Sequence, residues 1–145
     1  MPTMLATQLF ETMPGIMRQW RLELDLGLDD ELTPGQFRVM LLIQEGHNQV
    51  GLLSRQNGAS AAAMSKMIDG LVRVGFVEKE TSELDRRQVT LGLTRPGQAM
   101  ARKLRRGLDA RLQGQLDSLS EIEKQQVSQS LCLLQKVFRP KTECP

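Results

Sequence analysis

Apolar residues at the start of the chain recur at three- and four-residue steps, and this spacing lays one stripe along a helix. The residues of the stripe are Leu5, Leu9, Met13, Ile16, Met17, Trp20 and Leu24. Pro14 falls inside the stripe and lacks the N–H that a helix interior needs. The pattern therefore predicts one long N-terminal helix that bends at Pro14, with a helix beginning near Pro14 as the alternative.

A second helix is predicted from Pro34 to about Gln44. Thr33 can cap its first turn, Pro34 suits the first helical position, and Gln36 can return a hydrogen bond to the capping residue. The segment from Phe37 to Ile43 is apolar nearly all round, so we expect this helix to lie in the core.

Two shorter helices follow. Val50 to Gln56 predicts a short helix, which Asn57-Gly58 then ends. Ser60 can cap the next helix, whose apolar positions continue to Gly75, a residue suited to a left-handed C-terminal stop. The result is a helix, a tight turn and a second helix.

A β-hairpin is predicted directly after this helix pair. Phe76 to Thr81 and Gln88 to Leu93 have the character of strands, and Ser82 to Arg87 joins them. The joining loop is polar and carries Arg86 and Arg87, which suits a segment that reaches a polyanion. Helix and hairpin together are typical of a recognition helix and a β-wing, an arrangement that grips DNA in two adjacent grooves.

The last part of the chain predicts two further helices. The first opens at Thr94 to Gly97 and reaches a break near Leu116 to Leu119. Ser120 and Glu123 form a capping box for the second. The apolar stripes of the two helices are Met100, Leu104, Leu108 and Leu112, then Val127, Leu131, Leu134 and Phe138. We expect the long terminal helices to pack together in one body with surplus apolar surface, and residues 139–145 to form a frayed tail.

Composition fits a soluble globular protein of about one domain. The chain has 145 residues, of which 25% are charged and 40% hydrophobic. It contains no apolar run long enough to cross a bilayer and no signal-peptide pattern, so a cytoplasmic location is expected. The net charge of +2 permits an anionic partner without requiring one.

Metal binding and catalysis are not expected. The only histidine is His47, and Cys132 and Cys144 lack the spacing of a metal site, so no cofactor is predicted. The chain also lacks a nucleophile paired with a base at a spacing that a known mechanism uses. An enzyme is therefore the weaker hypothesis. A protein-interaction module is the second alternative, because fold does not fix function.

Three segments resemble the MarR family of bacterial winged helix-turn-helix regulators. They are Leu32-Thr33-Pro34-Gly35-Gln36-Phe37-Arg38-Val39-Met40, Gly75-Phe76-Val77-Glu78-Lys79, and Asp85-Arg86-Arg87 followed by Leu93-Thr94-Arg95-Pro96-Gly97. The resemblance implies a mainly α (α+β) fold, a winged helix-turn-helix with a small β-hairpin wing and long N- and C-terminal dimerisation helices. Its regions are residues 1–32, 33–97 and 98–145, in one intertwined body.

The same resemblance implies a transcriptional regulator of double-stranded DNA. We expect a homodimer that binds a pseudo-palindromic operator, acts as a repressor, and is released by a small-molecule effector as in many relatives. Apolar stripes far from the winged region also need a partner to cover them, which agrees with a dimer.

The candidate DNA-binding residues lie on the recognition helix and the wing. On the helix, the outward positions are Ser60, Ala61, Ala62, Ala63, Ser65 and Lys66, with Asp69 further along, while Met64, Met67, Ile68 and Leu71 should face inward. On the wing, Arg87 is the candidate for the minor groove, with Asp85 holding its guanidinium and Arg86 near a phosphate. The alternative for the helix is a plain solvated surface.

Other arginines carry weaker signals. Arg55 and Arg73 are further phosphate candidates, although arginines on helix surfaces are more often solvated. A basic run on the helix after the wing favours a solvated or salt-linked face, and it comprises Arg102, Lys103, Arg105, Arg106 and Arg111. Acidic residues around the wing dilute its positive field, which predicts moderate and steeply salt-dependent affinity.

Effector and redox sites are the least defined. The resemblance implies an effector cleft between the winged region and the dimer helices, with Met17, Trp20, Arg21, Phe37 and Met40 as candidate lining residues; core packing is the alternative. Some relatives sense oxidation through a cysteine in the first helix, and this chain has none there. Cys132 is expected to be buried and Cys144 to lie in the tail, where an intersubunit disulfide stays open as an alternative.

Overall fold

The computed structural model describes residues 2–28, 32–85 and 87–138. Its elements are α1 (Pro2–Gly27), α2 (Pro34–Gln44), α3 (Val50–Asn57), α4 (Ala61–Arg73), β1 (Val77–Thr81), β2 (Val89–Leu93), α5 (Arg95–Leu116) and α6 (Glu121–Phe138). This mainly helical fold with one antiparallel hairpin confirms the predicted fold class. The chain divides into two compact units, residues 1–108 and 109–145, and the helix α5 has residues in both.

The first helix passes through its proline. α1 is one continuous element with Pro14 inside it, so the alternative of a helix beginning near Pro14 is wrong. At its C-terminal end, Leu24 and Leu28 pack against the core of the first unit. The large apolar side chains nearer the N-terminus are exposed in a single chain, and they are Met4, Leu5, Phe10, Met13, Ile16, Met17, Trp20 and Leu22.

The second helix has the predicted bounds and the predicted cap. The Gln36 N–H donates to Thr33 Oγ1 at 3.2 Å, and the Thr33 N–H donates to Gln36 Oε1 at 3.0 Å, which completes a capping box. The apolar segment after it is buried at Phe37, Val39, Met40, Leu42 and Ile43. α2 is therefore the central helix of the first unit, as its composition predicted.

Other elements of the first unit contribute to the same core. Their fully or nearly buried residues are Leu53 of α3, Met64, Ile68 and Leu71 of α4, Val77 of β1, Leu91 of β2, and Ala101 and Leu104 of α5. Interiors packed in this way resist small displacements. The shared core therefore holds α4 and the hairpin in a fixed relation.

The hairpin is antiparallel and in a simple register. Val77 pairs with Leu93 at its base and Thr81 with Val89 next to the loop. β1 begins one residue later than predicted, because Phe76 belongs to the stop after α4, where its N–H donates to Leu71 O at 3.0 Å. β2 also begins one residue later, at Val89, because the Gln88 N–H bonds within the loop to Asp85 O. Gly75 takes a φ of 83°, which is the left-handed conformation predicted for this stop.

The start of α5 is joined to the base of the hairpin. The Thr94 N–H donates to Phe76 O at 3.1 Å, and the Thr94 hydroxyl donates to Gly75 O at 2.5 Å. The same hydroxyl oxygen accepts from the Gly97 N–H at 3.1 Å and caps the helix. A Cβ atom at Gly97 would lie 2.0 Å from Phe76 O, so this close crossing requires glycine.

The second unit contains the end of α5, a turn and α6. The Ser120 N–H donates to Glu123 Oε2 at 2.8 Å, and the Glu123 N–H donates to Ser120 Oγ at 3.3 Å, as the predicted capping box requires. The backbone hydrogen bond from Ser120 lowers the pKa of Glu123. α6 has no buried residue in a single chain.

Cys132 is exposed on α6, so the prediction of a buried cysteine is wrong for a single chain. It lines an open cleft of about 470 Å³ within the second unit, together with apolar residues that include Leu116, Val127 and Leu131. The apolar stripe identified the face on which these residues lie, but it could not tell whether the same chain covers that face. Cys144 lies outside the described residues.

Candidate nucleic-acid interface

The helix α4 presents a face of small residues to solvent. Ser60 caps the helix, since its Oγ accepts from the Ala63 N–H at 3.1 Å. Met64, Ile68 and Leu71 are buried on the opposite side, as predicted. The residues assigned to the outward face are all exposed, and they are Ser60, Ala61, Ala62, Ala63, Ser65 and Lys66. This face can approach a flat or grooved partner closely because its side chains are short.

Lys66 supplies the positive charge of this face. Its ammonium has no ion-pair partner within the described part of the chain, so it is available to an anion. Ser65 beside it can donate and accept hydrogen bonds through one hydroxyl. Alanine methyl groups can contact the C5-methyl group of thymine, while serine and lysine can contact base edges or phosphates.

Asp69 has a role that the sequence did not reveal. Lys79 of β1 donates from Nζ to Asp69 Oδ1 at 2.7 Å, so an ion pair links the recognition helix to the hairpin. The two side chains are 43% and 56% exposed, which limits the strength of the pair in water. The pair nevertheless neutralises an acid that would otherwise oppose a polyanion next to α4.

Hydrogen bonds hold the loop of the hairpin. The Ser82 N–H donates to Gln88 O at 3.1 Å, and the Gln88 N–H donates back to Asp85 O at 3.0 Å. The Leu84 N–H donates to Ser82 Oγ at 3.3 Å. No non-glycine residue among the described ones takes a positive φ. The described residues of the loop, 82–85 and 87–88, therefore form a hydrogen-bonded turn without backbone strain of this kind.

The aspartate in this loop acts differently from the prediction. Asp85 Oδ1 accepts from the backbone N–H of Arg87 at 2.9 Å, and no ion pair between the Asp85 and Arg87 side chains is found in the described residues. A short aspartate side chain readily accepts a hydrogen bond from the backbone N–H two residues later in the chain. This bond is therefore favoured over an ion pair with the Arg87 guanidinium. Asp85 therefore shapes the turn, and Arg86 lies outside the described residues.

The Arg87 side chain is exposed beside a cleft at the base of the loop. The cleft has a volume of about 350 Å³ and is lined by Gln49, Val50, Gly51, Arg87, Gln88 and Val89. It lies between the start of α3 and β2, where the Leu91 N–H donates to Asn48 O at 2.8 Å. Arg87 is thus a free cation at the edge of the hairpin.

The two remaining arginine candidates lie at helix ends. Arg55 is in the last turn of α3 and Arg73 in the last turn of α4, and both are exposed. A cation in the last turn is favoured by the helix dipole without any ligand. Their positions therefore agree with a local stabilising role as well as with a phosphate contact.

The proposed effector-lining residues do not share one space within a single chain. Phe37 and Met40 are buried in the core, at 1% and 0% exposure, whereas Met17 and Trp20 are 46% and 44% exposed on α1. Arg21 is also exposed. Phe37 lines a crevice of about 10 Å³ between α1, α2 and α5 that none of the other four residues lines. A single copy of the chain therefore does not bring the five residues together in one cleft.

Other site types have no support in the described residues. Within residues 2–28, 32–85 and 87–138, no group of three or more His, Cys, Asp or Glu side chains could hold a metal ion. The helices of that same part of the chain include none that is long and apolar enough to span a bilayer.

Comparison with known proteins adds direct relatives of this arrangement. The sequence model of the MarR family matches residues 30–88. The HTH-type transcriptional regulator YfiV of Bacillus subtilis is 31% identical over 124 residues, which cover 86% of this chain and 74% of that protein. The HTH-type transcriptional repressor YetL of the same organism is 24% identical over 96 residues, which cover 64% and 58%.

A solved structure matches the fold over most of the chain. FabT of Streptococcus pneumoniae, crystallised in complex with DNA, superposes with a TM-score of 0.73 at 21% identity. The superposition covers 91% of this chain and 96% of FabT. The described helices and hairpin therefore follow an architecture that has been observed with DNA bound.

Proposed function

Since this chain belongs to the MarR family of DNA-binding transcriptional regulators, we propose that it is a repressor that binds a pseudo-palindromic duplex operator as a homodimer. Proteins of this family are regulators rather than enzymes, which agrees with the absence of a catalytic constellation in the sequence. The name of the relative YetL supports repression, and the FabT complex supports DNA as the partner. The observation that carries the proposal is an exposed small-residue face on α4 joined through one core to an arginine-bearing hairpin.

In this proposal α4 enters the major groove. Ala61, Ala62 and Ala63 let the backbone approach the base edges and can contact thymine methyl groups. Ser65 and Lys66 contact bases or phosphates. Because this face has few hydrogen-bonding groups, part of the sequence preference comes from the shape and deformability of the DNA.

The wing enters the adjacent minor groove. Arg87 is exposed, lacks a described ion-pair partner and is carried by a hydrogen-bonded turn, so little needs to be reorganised when it inserts. A narrow minor groove has an enhanced negative potential that attracts arginine. Arg55 and Arg73 are secondary candidates for phosphate contacts at the edges of the interface.

A second copy of the chain covers the exposed helix faces in the proposed homodimer. On α6 the large apolar side chains exposed in a single chain are Ile122, Val127, Leu131, Leu133, Val137 and Phe138. α1 adds the apolar residues already named. Large exposed apolar faces of this kind are rare on a monomer, and two-fold symmetry is the commonest way in which identical chains cover them.

The DNA part of the proposal is tested with duplex fragments that the purified protein selects from genomic DNA. Arg87→Ala is expected to lower affinity for all selected duplexes about tenfold or more in a fluorescence anisotropy titration, because it removes a minor-groove and charge contact. Arg38→Ala, at an exposed position on α2 outside the interface, is the matched control and keeps affinity near wild type. Unchanged binding by Arg87→Ala would favour a protein-interaction module instead.

The dimer is tested separately from the DNA. Light scattering at micromolar concentration is expected to give the mass of two chains, for wild type and Arg87→Ala alike. Trp20 is the only tryptophan of a chain without tyrosine, and it is 44% exposed in a single copy. Its emission should therefore shift to longer wavelength when the protein is diluted until the dimer dissociates. A single-chain mass at micromolar concentration would contradict the homodimer.

The proposed release by a small molecule involves the exposed face of α1. In a single copy Met17, Trp20 and Arg21 are exposed on α1, whereas Phe37 and Met40 are buried in the core, so a ligand next to α1 would contact the α1 residues rather than Phe37 and Met40. Quenching of Trp20 emission by a compound that also weakens DNA binding would support this step. Loss of DNA binding with unchanged Trp20 emission would place the effector elsewhere.

A further inference from the structure

A fully exposed leucine stands at the tip of the wing. Leu84 is 99% exposed, more than any other large hydrophobic side chain in the described residues. It lies three positions before Arg87 in the same loop. Nothing in the sequence motifs assigns it a role, and the neighbouring positions are charged.

The leucine is held in place rather than carried by a loose segment. The Leu84 N–H donates to Ser82 Oγ at 3.3 Å. The Ser82 N–H donates to Gln88 O, and the Gln88 N–H donates to Asp85 O, so these bonds close the loop around Leu84. The strands that carry the loop are paired up to Thr81 and Val89. These bonds hold the backbone that carries Leu84, while its side chain is exposed to solvent.

Leu84 and Arg87 share one short turn, so a wing that delivers Arg87 to the minor groove brings Leu84 to the same groove. The walls of this groove consist of deoxyribose, which offers apolar surface, and leucine is among the side chains that proteins place in minor grooves. The floor differs between base pairs, because only G·C carries the guanine 2-amino donor there. An apolar side chain over that donor would leave it without a hydrogen-bond partner, which is unfavourable.

We propose that Leu84 packs in the minor groove beside Arg87 and makes the wing prefer A·T base pairs at its contact. This inference rests on the proposed function and adds a specificity-determining residue to it. Leu84 acts through apolar contact and exclusion of the guanine amino group, whereas Arg87 acts through charge. The two contributions therefore respond differently to salt, because only neutralised phosphates release counterions.

The salt dependence of affinity distinguishes the two residues. Leu84→Ser is expected to weaken binding about fivefold per wing, as partial burial of a leucine implies, with an unchanged slope of log Kd against log salt concentration. Leu84→Met keeps an apolar side chain and should bind within about twofold of wild type. Arg87→Ala should lower both affinity and slope. Circular dichroism checks that all variants fold, which is expected because the Leu84 side chain contacts little of the protein.

Base substitution tests the A·T preference directly. At the wing position of a selected operator, A·T is replaced by G·C and, in a second duplex, by inosine·cytosine, which lacks the 2-amino group. Wild type should bind the inosine duplex like the A·T duplex and the G·C duplex more weakly, and Leu84→Ser should reduce this difference.

Three results would be decisive against one proposal or the other. If Leu84→Ser binds as tightly and as selectively as wild type, the role of Leu84 is refuted while DNA binding stands. If Leu84→Ser lowers the slope of log Kd against log salt concentration as Arg87→Ala does, the substitution has disturbed the charge contact of Arg87. The proposed apolar contact of Leu84 is then refuted. If wild type binds no duplex, the proposed function itself fails.

Discussion

Gly97→Ala should destabilise the chain strongly, because Gly97 lies where α5 crosses the base of the hairpin. The added Cβ would stand 2.0 Å from Phe76 O and 2.9 Å from Phe76 C, both backbone atoms. An ordinary C···O approach is about 3.3 Å or more, so α5 and the hairpin must separate by about 1 Å. That movement would break the bonds from Thr94 to Phe76 O and Gly75 O.

The expected cost follows from these losses. Each of the two hydrogen bonds is worth about 1 kcal/mol, and overpacking adds about 1–3 kcal/mol. We therefore expect the free energy of unfolding to fall by about 4 kcal/mol and the melting temperature to fall by roughly 10 °C. Urea unfolding followed by circular dichroism, at one fixed chain concentration, measures the change.

Gly107→Ala is the matched control for this substitution. Gly107 is in the same helix and exposed, and an added Cβ there meets no atom within 4 Å. Alanine is the better helix former, so this variant should gain up to about 1 kcal/mol. Two outcomes would contradict this role of the close crossing. One is a free energy of unfolding for Gly97→Ala within about 1 kcal/mol of wild type, which is about the uncertainty of such measurements. The other is an equal loss of stability in Gly97→Ala and Gly107→Ala.

Three further outcomes are expected from other contacts. Thr33→Ala removes the cap of α2 and should cost about 1 kcal/mol in urea unfolding; an unchanged midpoint would mean that the capping box contributes nothing. A double-mutant cycle with Asp69→Asn and Lys79→Met should give a coupling of about 0.2–1 kcal/mol that shrinks in high salt, and zero coupling in dilute buffer would rule out a stabilising pair. The lowered pKa of Glu123 means that its stabilisation is present above the ordinary pKa of an unfolded glutamate and is lost as pH falls through the folded pKa. The stability difference between wild type and Glu123→Gln should therefore narrow on acidification below that value, and a difference independent of pH would contradict this role.

Local signals in the sequence predicted the helix ends well. The capping boxes at Thr33 and Ser120 join residues three positions apart, so the side chains that form them are visible in the sequence itself. The stop at Gly75 likewise depends on the conformation of one residue. These features placed α2, α4 and α6 close to their observed bounds.

Contacts between elements could not be predicted in the same way. The ion pair between Asp69 and Lys79 depends on how α4 packs against β1, which no local pattern encodes. Asp85 was assigned to the Arg87 guanidinium because opposite charges attract, but the backbone N–H two residues away is closer and already fixed by the turn. The full exposure of the Leu84 side chain likewise depends on the conformation of the loop, which the local sequence does not encode.

Burial of the terminal helices shows a different limit. An apolar stripe predicts which face of a helix avoids water, but the covering surface can belong to the same chain or to another. Cys132 was expected to be buried for this reason and is exposed in a single chain. The candidate effector residues meet the same limit, because Phe37 and Met40 are buried in a single chain whereas Met17, Trp20 and Arg21 of α1 are exposed there.

A hydroxyl-radical footprint of a selected operator tests the central claim, that α4 and the wing occupy adjacent grooves on both halves of a two-fold site. The radical attacks the deoxyribose of the minor groove, where the wing is placed. Wild type is expected to protect two symmetric minor-groove segments flanking the centre, and Arg87→Ala to weaken both protections while bound at higher concentration. Protection on one flank only, or an unchanged footprint with Arg87→Ala, would contradict the account.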